Sequence, residues 1–187
     1  MTRLTSLLAI AMVLVGTTLA SYQSPPSNTG LLQMITYVKR HPNMTREEFW
    51  HYWDTQHAPK VIPLATHFGI ARYQQACYKQ NVQVAGKIVP TDAGATKPVS
   101  NKLVDFDGIA LFLYESPNDL TDILSHPYYI QVVEPDEHVF IDKSAHGKGM
   151  VATYIGKHME AVDDTRSVWV GDRKTRAKYQ KLFNSYL

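Results

Sequence analysis

The sequence lacks the features that mark several common classes of protein. Its 187 residues include one cysteine, Cys77, so neither an intramolecular disulfide nor a cysteine-rich zinc site can form. There is no G-x-S-x-G motif of serine hydrolases and no glycine-rich loop that could hold a phosphate group. The formal net charge of +2 is too small for a protein that binds nucleic acid through its phosphate backbone, so we expect no nucleic-acid partner.

Long apolar runs are also missing, except at the N-terminus. Residues 1–20 combine a basic start, an apolar centre and a small-x-small end before Ser21, which is typical of a secretory signal peptide. A short membrane anchor is the alternative, because residues 4–20 approach the lower length limit of a membrane span. We therefore expect a secretory or secreted protein, attached to a membrane only if this segment is retained. In that route Asn43 is a candidate glycosylation site, because it begins the sequon Asn-Met-Thr; the alternative is a chance sequon whose Thr45 serves as a helix cap.

The rest of the chain divides into a linker, one domain and a tail. Residues 21–30 are rich in Ser, Pro, Asn and Gly and predict a linker, and the domain is expected over residues 31–158. Alternating apolar residues predict strands over 32–39, 70–79, 107–115 and 150–157, with a helix after the first and the third. This β-α-β-β-α-β order predicts an α+β, ferredoxin-like fold, a four-stranded antiparallel sheet with helices on one face.

Two further segments stand apart from this pattern. Residues 80–104 form a polar insertion, in which apolar residues on either side of Ala85-Gly86-Lys87 predict a short hairpin over residues 82–89. Residues 159–187 form a basic tail with a weakly amphipathic helix over 173–186. That helix is either a solvated element that covers its own domain or a contact for a membrane surface or a partner.

The helix boundaries carry specific sequence signals. Thr45 followed by Glu48 predicts a capping box at the start of the first helix, and Ser116 opens the second in the same way. Pro59 and Pro63 are expected to end the first helical pattern.

Both faces of the predicted sheet are apolar. On the third strand, one face carries Ile109, Leu111 and Leu113, and the other carries Ala110, Phe112 and Tyr114. An antiparallel sheet with one wet face should instead alternate apolar and polar residues. Because the helices can cover one face only, we expect a homodimer in which a second sheet covers the other.

The first helix brings one histidine into an aromatic face. At about 100° per residue, Trp53 and His57 fall on the side of Phe49, whereas His51 falls on the polar side. Burial favours neutral imidazole and the helix end favours the charged form, which could poise His57 for proton transfer. The alternative is a core histidine bonded to backbone.

Other residues are candidates with ordinary structural alternatives. Tyr37 and Tyr73 lie in predicted strands and Asp107 opens another, so each could supply a catalytic group or serve only the sheet or a turn. His126 precedes a proline at a helix break, and is a candidate for substrate binding or a surface residue. The acidic segment with Asp136, Glu137, His138 and Asp142 matches no metal motif by spacing, so we expect no metal site.

Several segments together resemble a known family. They are KRHPNMT, REEFWHYWDTQHAPKV, ARYQQ, FDGIALFLYES and EPDEHVFIDKS, within residues 32–157. In this order they resemble EthD-domain proteins of the dimeric α/β-barrel superfamily, and among these the fungal polyketide tailoring decarboxylases and dehydratases. The resemblance implies a pocket between sheet and helices that is lined by His57. The N-terminal segment, the insertion and the tail depart from the family pattern.

The resemblance and the residues together predict a lyase. We expect a cofactor-independent decarboxylase or dehydratase acting on a small aromatic polyketide, with His57 as an imidazolium acid and Tyr37 or Tyr73 orienting an oxygen. Phe49, Trp50 and Trp53 would supply a flat apolar wall. Two alternatives are a cofactor-free monooxygenase or cyclase on the same fold, and a secreted module that binds aromatic compounds.

Overall fold

A computed structural model describes residues 28–76, 87–169 and 171–187. The predicted signal peptide therefore lies outside the described residues, as does most of the predicted linker. Within the described ranges, no helix is both long enough and apolar enough to cross a lipid bilayer.

Four antiparallel strands form the main sheet, and two short two-stranded sheets accompany it. In chain order the strands are β1 Asn28–Val38, β2 Arg72–Ala76, β3 Lys87–Ile88, β4 Val104–Asp105, β5 Gly108–Tyr114, β6 Met150–Met159, β7 Val162–Asp163 and β8 Arg166–Ser167. The sheet order is β2-β5-β1-β6, and β1 runs antiparallel to both of its neighbours. The predicted α+β, ferredoxin-like fold is confirmed.

Two strands of the structure add to what the sequence predicts. β1 begins at Asn28, so the last residues of the predicted linker are already strand. The first strand of the hairpin predicted over residues 82–89 lies outside the described residues, and Ile88 of its second strand pairs with Val104 of β4. That pairing joins residues far apart in the chain, a contact that a local hydrophobic pattern cannot show.

The helices lie in two runs between the strands, with one more in the tail. They are α1 Arg46–Tyr52, a π turn Trp53–His57, α2 Ala58–His67, α3 Pro117–Ser125, a second π turn Tyr129–Val133, α4 Glu134–Phe140, a 3₁₀ turn His146–Gly149 and α5 Arg173–Asn184. Both predicted capping boxes are present, with Thr45 before α1 and Ser116 before α3.

The prediction that Pro59 and Pro63 end the first helix is wrong. Helical structure is continuous over residues 46–67 because α1 passes through the π turn directly into α2. Pro59 follows the π turn directly, and Pro63 is accommodated inside α2. In the π turn, the Ala58 N–H donates to the Trp53 carbonyl five residues back.

The helices pack on one face of the sheet. The core cluster on that face contains Val38, Phe49, Trp53, Ala110, Phe140 and Ile141. The opposite face carries the alternate residues of the same strands, and Tyr154 on it is 42% exposed. Ile35, Tyr37, Ile109 and Leu111 are half-buried there.

Candidate active site

His57 is the last residue of the π turn and lies in the protein interior. It is 5% exposed, and its ring centroid lies 4.7 Å from that of Phe140. The π turn and α2 hold the imidazole against α4, the helix that carries Phe140. The aromatic surroundings expected from the sequence are therefore present, although Phe140 is distant from His57 in the sequence.

A buried carboxylate orients the imidazole. His57 Nδ1 lies 2.8 Å from Asp136 Oδ2 of α4. The other carboxylate oxygen, Oδ1, accepts a hydrogen bond of 2.6 Å from the Tyr52 hydroxyl and another from the Lys60 ammonium. Among the described residues, His57 Nε2 has no hydrogen-bonding partner. The ring is thus fixed through one nitrogen, and the other is not engaged by any residue that the structure describes.

The electrostatics favour a neutral imidazole beside an ionised carboxylate. Burial lowers the pKa of His57 and outweighs the opposing effect of the hydrogen bond to Asp136. Burial alone would raise the pKa of Asp136, but hydrogen bonds from Lys60, Tyr52 and His57 bring that pKa below its usual value. The ionised Asp136 only accepts hydrogen bonds, so Nδ1 carries the proton and Nε2 presents a lone pair. This differs from the imidazolium expected from the sequence.

Tyr52 remains a hydrogen-bond donor in this arrangement. Burial and the neighbouring Asp136 carboxylate raise the pKa of Tyr52 to about 12. A phenol that stays protonated keeps its hydrogen bond to Asp136 across the physiological pH range.

Tyr73 lies on the same face of the sheet as His57. Its ring stacks on Phe112 at a centroid distance of 4.6 Å. Its hydroxyl accepts a hydrogen bond of 3.2 Å from Trp53 Nε1 and lies 2.6 Å from Gln75 Nε2. Since Phe140 contacts both Trp53 and His57, one aromatic cluster connects Tyr73 to the histidine.

Tyr37 lies on the opposite face of the sheet. Its ring makes edge contacts with Phe106 at 4.8 Å and with Tyr154 at 6.1 Å, centroid to centroid. Because the sheet separates Tyr37 from the helices, the structure does not bring this phenol to His57.

Asp107 belongs to a separate ion cluster. It is 3% exposed, and its carboxylate oxygens lie within 3.3 Å of nitrogens of Lys39, Arg40 and Arg46. Its backbone carbonyl accepts a hydrogen bond of 2.8 Å from Trp50 Nε1. The cluster ties the end of β1 to α1 and to the start of β5, so Asp107 and Trp50 are engaged in holding the fold.

The other residues predicted to bind substrate are either buried in the core or distant from His57. Phe49 is 0% and Trp53 is 3% exposed, so both rings are core and offer little surface to a substrate. His126 packs on Phe68 beyond the end of α2, about 15 Å along that helix from His57. Asn43 is exposed in a turn, and its glycosylation stays a prediction.

The acidic segment of α4 does not form a metal cluster. Glu137 is engaged by the Tyr129 hydroxyl at 3.0 Å and by the Lys143 ammonium at 2.5 Å, while His138 is exposed. No group of three or more potential metal ligands occurs in the part of the chain that the structure describes.

Sequence reasoning missed Asp136 as the partner of His57. The two residues are 79 positions apart, and no local pattern connects the acidic segment with the first helix. The sequence does contain one signal. Asp136 and Glu137 share a helix with the apolar residues Val133 and Phe140, so their carboxylates are expected to be partly buried and to need hydrogen-bond partners.

Sequence comparison identifies the family. The profile of the EthD domain matches residues 41–144, more than half of the chain, and this range contains both His57 and Asp136. The chain belongs to the EthD-domain family. One EthD-domain relative is the conidial pigment biosynthesis dehydratase EthD of Metarhizium robertsii, 29% identical over 119 residues, which are 64% of this chain and 80% of the relative.

Two solved structures share a weak likeness with this EthD-domain chain. A dimeric protein of unknown function with a ferredoxin-like fold from Bacteroides fragilis is 8% identical, with a TM-score of 0.42, over 71% of this chain and 99% of the other. An EthD-family protein from Bacillus halodurans is 15% identical, with a TM-score of 0.39, over 69% and 98%. At this level they carry no argument about activity or assembly.

Proposed function

We propose that the protein is a lyase of the dehydratase type that acts on an aromatic polyketide intermediate. The observation that carries the proposal is the pair of His57 and Asp136, in which a buried neutral imidazole is held through Nδ1 while Nε2 has no partner among the described residues. Membership of the EthD-domain family and the relative named as a pigment biosynthesis dehydratase support the choice of chemistry.

Dehydration of a β-hydroxyketone fits a neutral imidazole. Nε2 of His57 takes the proton from the carbon next to the carbonyl, and that C–H bond breaks as an enolate forms. Asp136 holds the ring and stabilises the imidazolium that results. The β C–O bond then breaks, and the imidazolium returns the proton to the departing hydroxyl, so that one water leaves and a ring double bond forms.

Tyr73 is the candidate for stabilising the enolate oxygen. Its phenol lies on the helix side of the sheet and is joined to His57 through Trp53 and Phe140. A phenol can donate a hydrogen bond to the oxygen on which negative charge develops.

Decarboxylation needs a proton delivered to carbon, whereas burial favours His57 in the form that accepts one. We therefore place dehydration ahead of the decarboxylation expected from the sequence. A monooxygenase on the same fold would consume O₂, and a binding module would convert nothing.

A bicyclic β-hydroxyketone, such as 3-hydroxy-1-tetralone, tests the proposal because loss of water yields a naphthol that can be followed by absorbance. We expect the full chain to form naphthol without consuming O₂. His57→Ala should lower the rate by about 10²-fold or more, and Asp136→Asn by at least about tenfold.

His51→Ala is the matched control. His51 is on the same helix but exposed, so this variant should turn over like the wild type. Equal rates for His57→Ala and the wild type would refute the assignment of His57. One O₂ consumed per turnover would favour the monooxygenase, and ligand binding without turnover in every variant would favour the binding module.

We also propose that the protein is a homodimer whose sheets face each other. The support is the apolar outer face of the sheet, where Tyr37, Leu111 and Tyr154 remain partly exposed. Burial of such a face between two copies would remove apolar surface from water.

A further inference from the structure

The tail helix α5 stands apart from the domain. Every residue from Asp172 to Leu187 is exposed, and α5 has no buried residue. This exposure disfavours the alternative in which the helix covers the described part of its own domain. Its apolar side chains therefore face water in the isolated chain, with Tyr179 and Phe183 each 57% exposed.

The helix is amphipathic. At about 100° per residue, Tyr179, Leu182 and Phe183 fall within an arc of about 100°, while Lys174, Lys178 and Lys181 lie outside it. Trp169 lies beside Tyr179 and Phe183 in a shallow groove and adds a further aromatic ring to the apolar side.

The charge of the segment has one sign. Residues 173–187 contain five basic side chains, at positions 173, 174, 176, 178 and 181, and no acidic ones. A short helix with aromatic and aliphatic residues on one side and lysines on the other matches the arrangement that lies in the plane of a bilayer surface. Lysines beside such a surface attract anionic headgroups.

We propose that α5, together with Trp169, binds the surface of a bilayer that contains anionic phospholipid. The apolar arc enters the headgroup region and the lysines contact the anionic lipids. The proposal is independent of the chemistry at His57 and applies whether or not the N-terminal segment is retained.

Fluorescence quenching by brominated lipids tests this directly in the full chain. The signal of Trp169 is the wild-type fluorescence minus that of Trp169→Phe, which removes the contributions of Trp50 and Trp53. With vesicles of phosphatidylcholine and phosphatidylserine carrying brominated acyl chains, Trp169 should be quenched, and with phosphatidylcholine alone it should not. The double variant Lys178→Glu/Lys181→Glu should bind the anionic vesicles at least about tenfold more weakly by this signal.

The double variant Lys97→Glu/Lys102→Glu is the matched control. Both lysines are exposed in the insertion and the change in charge is the same, so quenching should equal that of the wild type. Because α5 buries nothing, both double variants should melt at the wild-type temperature.

Several results would overturn the proposal. One is equal quenching with neutral and anionic vesicles, and another is equal weakening in the two double variants. A third is the absence of Trp169 quenching in the wild type with either vesicle. A change of oligomeric state in the α5 variant, with quenching unaltered, would instead assign the helix to contacts between copies of the chain.

Discussion

At the scale of single residues, two buried aspartates have different surroundings. Asp107 is held by three cations at the junction of β1, α1 and β5. Asp136 contacts His57, Tyr52 and Lys60, and the other nitrogen of its histidine partner has no hydrogen bond to any described residue. The first arrangement fixes a carboxylate in the fold, and the second orients an imidazole.

The pKa of His57 predicts how activity and stability depend on pH. Its folded value lies below the ordinary 6.5 because of burial, so the base is available at and above that pH. We expect kcat/KM to rise with pH with a midpoint below 6.5. A midpoint above 6.5 would contradict this.

The lowered pKa of His57 also determines how the stability of the fold changes with pH. Between the folded and unfolded pKa values the unfolded chain binds more protons, so stability increases with pH. The contribution of neutral His57 is present above pH 6.5 and is lost as pH falls through the folded value. Measured by denaturant unfolding, the wild type should therefore lose more stability between pH 7 and pH 5 than His57→Ala does. An equal loss in both proteins would count against the lowered pKa of His57.

Asp107→Asn should destabilise the fold while sparing the chemistry. The change leaves Lys39, Arg40 and Arg46 without their shared anion, so we expect a loss of about 2–4 kcal/mol in the free energy of unfolding. The loss is not larger because water still solvates these partly exposed cations. Urea unfolding measures the loss of stability. The rate of substrate turnover, measured at a low temperature at which the variant stays folded, shows whether the chemistry is spared.

Asp105→Asn, two residues earlier and exposed, is the control and should change neither quantity by much. A rate for Asp107→Asn as low as that of His57→Ala, in folded protein, would show that Asp107 takes part in the reaction.

At the scale of elements, local signals were predictable and distant pairings were not. The capping boxes at Thr45 and Ser116 involve residues three apart, so the sequence displays them directly. The contact of His57 with Asp136 and the pairing of Ile88 with Val104 depend on tertiary folding. The continuity through Pro59 depends on a π turn, which has no clear sequence pattern.

The packing of α1 and its π turn on the sheet depends on a glycine in β5. A Cβ at Gly108 would lie 2.4 Å from the Trp53 ring and 3.1 Å from the Phe49 ring, so the helix approaches closely only because no side chain is there. Gly108→Ala should lower the free energy of unfolding by about 1–3 kcal/mol, measured by urea unfolding.

Gly156→Ala provides the comparison. Gly156 lies in β6 with no atom within 4 Å of the added Cβ, so this change should alter stability by less than about 0.5 kcal/mol. Equal effects of the two substitutions would contradict the close approach described for Gly108.

At the scale of the whole molecule, the sheet has one face covered by helices and one face partly exposed. Leu111 lies in the middle of the outer face, opposite Ile35 of β1. We expect the full chain to sediment as a dimer at micromolar concentration and Leu111→Glu to sediment as a monomer, because a carboxylate there would be buried without a partner.

Val139→Glu is the control for that change. Val139 is 47% exposed on α4, on the helix side, and its substitution should leave the dimer intact. A monomeric wild type at micromolar concentration would refute the proposed assembly.

The central claim is that His57 rests as a neutral imidazole with its proton on Nδ1 and a free lone pair on Nε2. Nitrogen NMR of histidine-labelled protein, with His57→Ala used to assign the signal, measures this state without a substrate. We predict a protonated Nδ1 and an unprotonated Nε2 at pH 7, with a titration midpoint below 6.5. A proton on Nε2 at pH 7, or a midpoint above 6.5, would contradict the account.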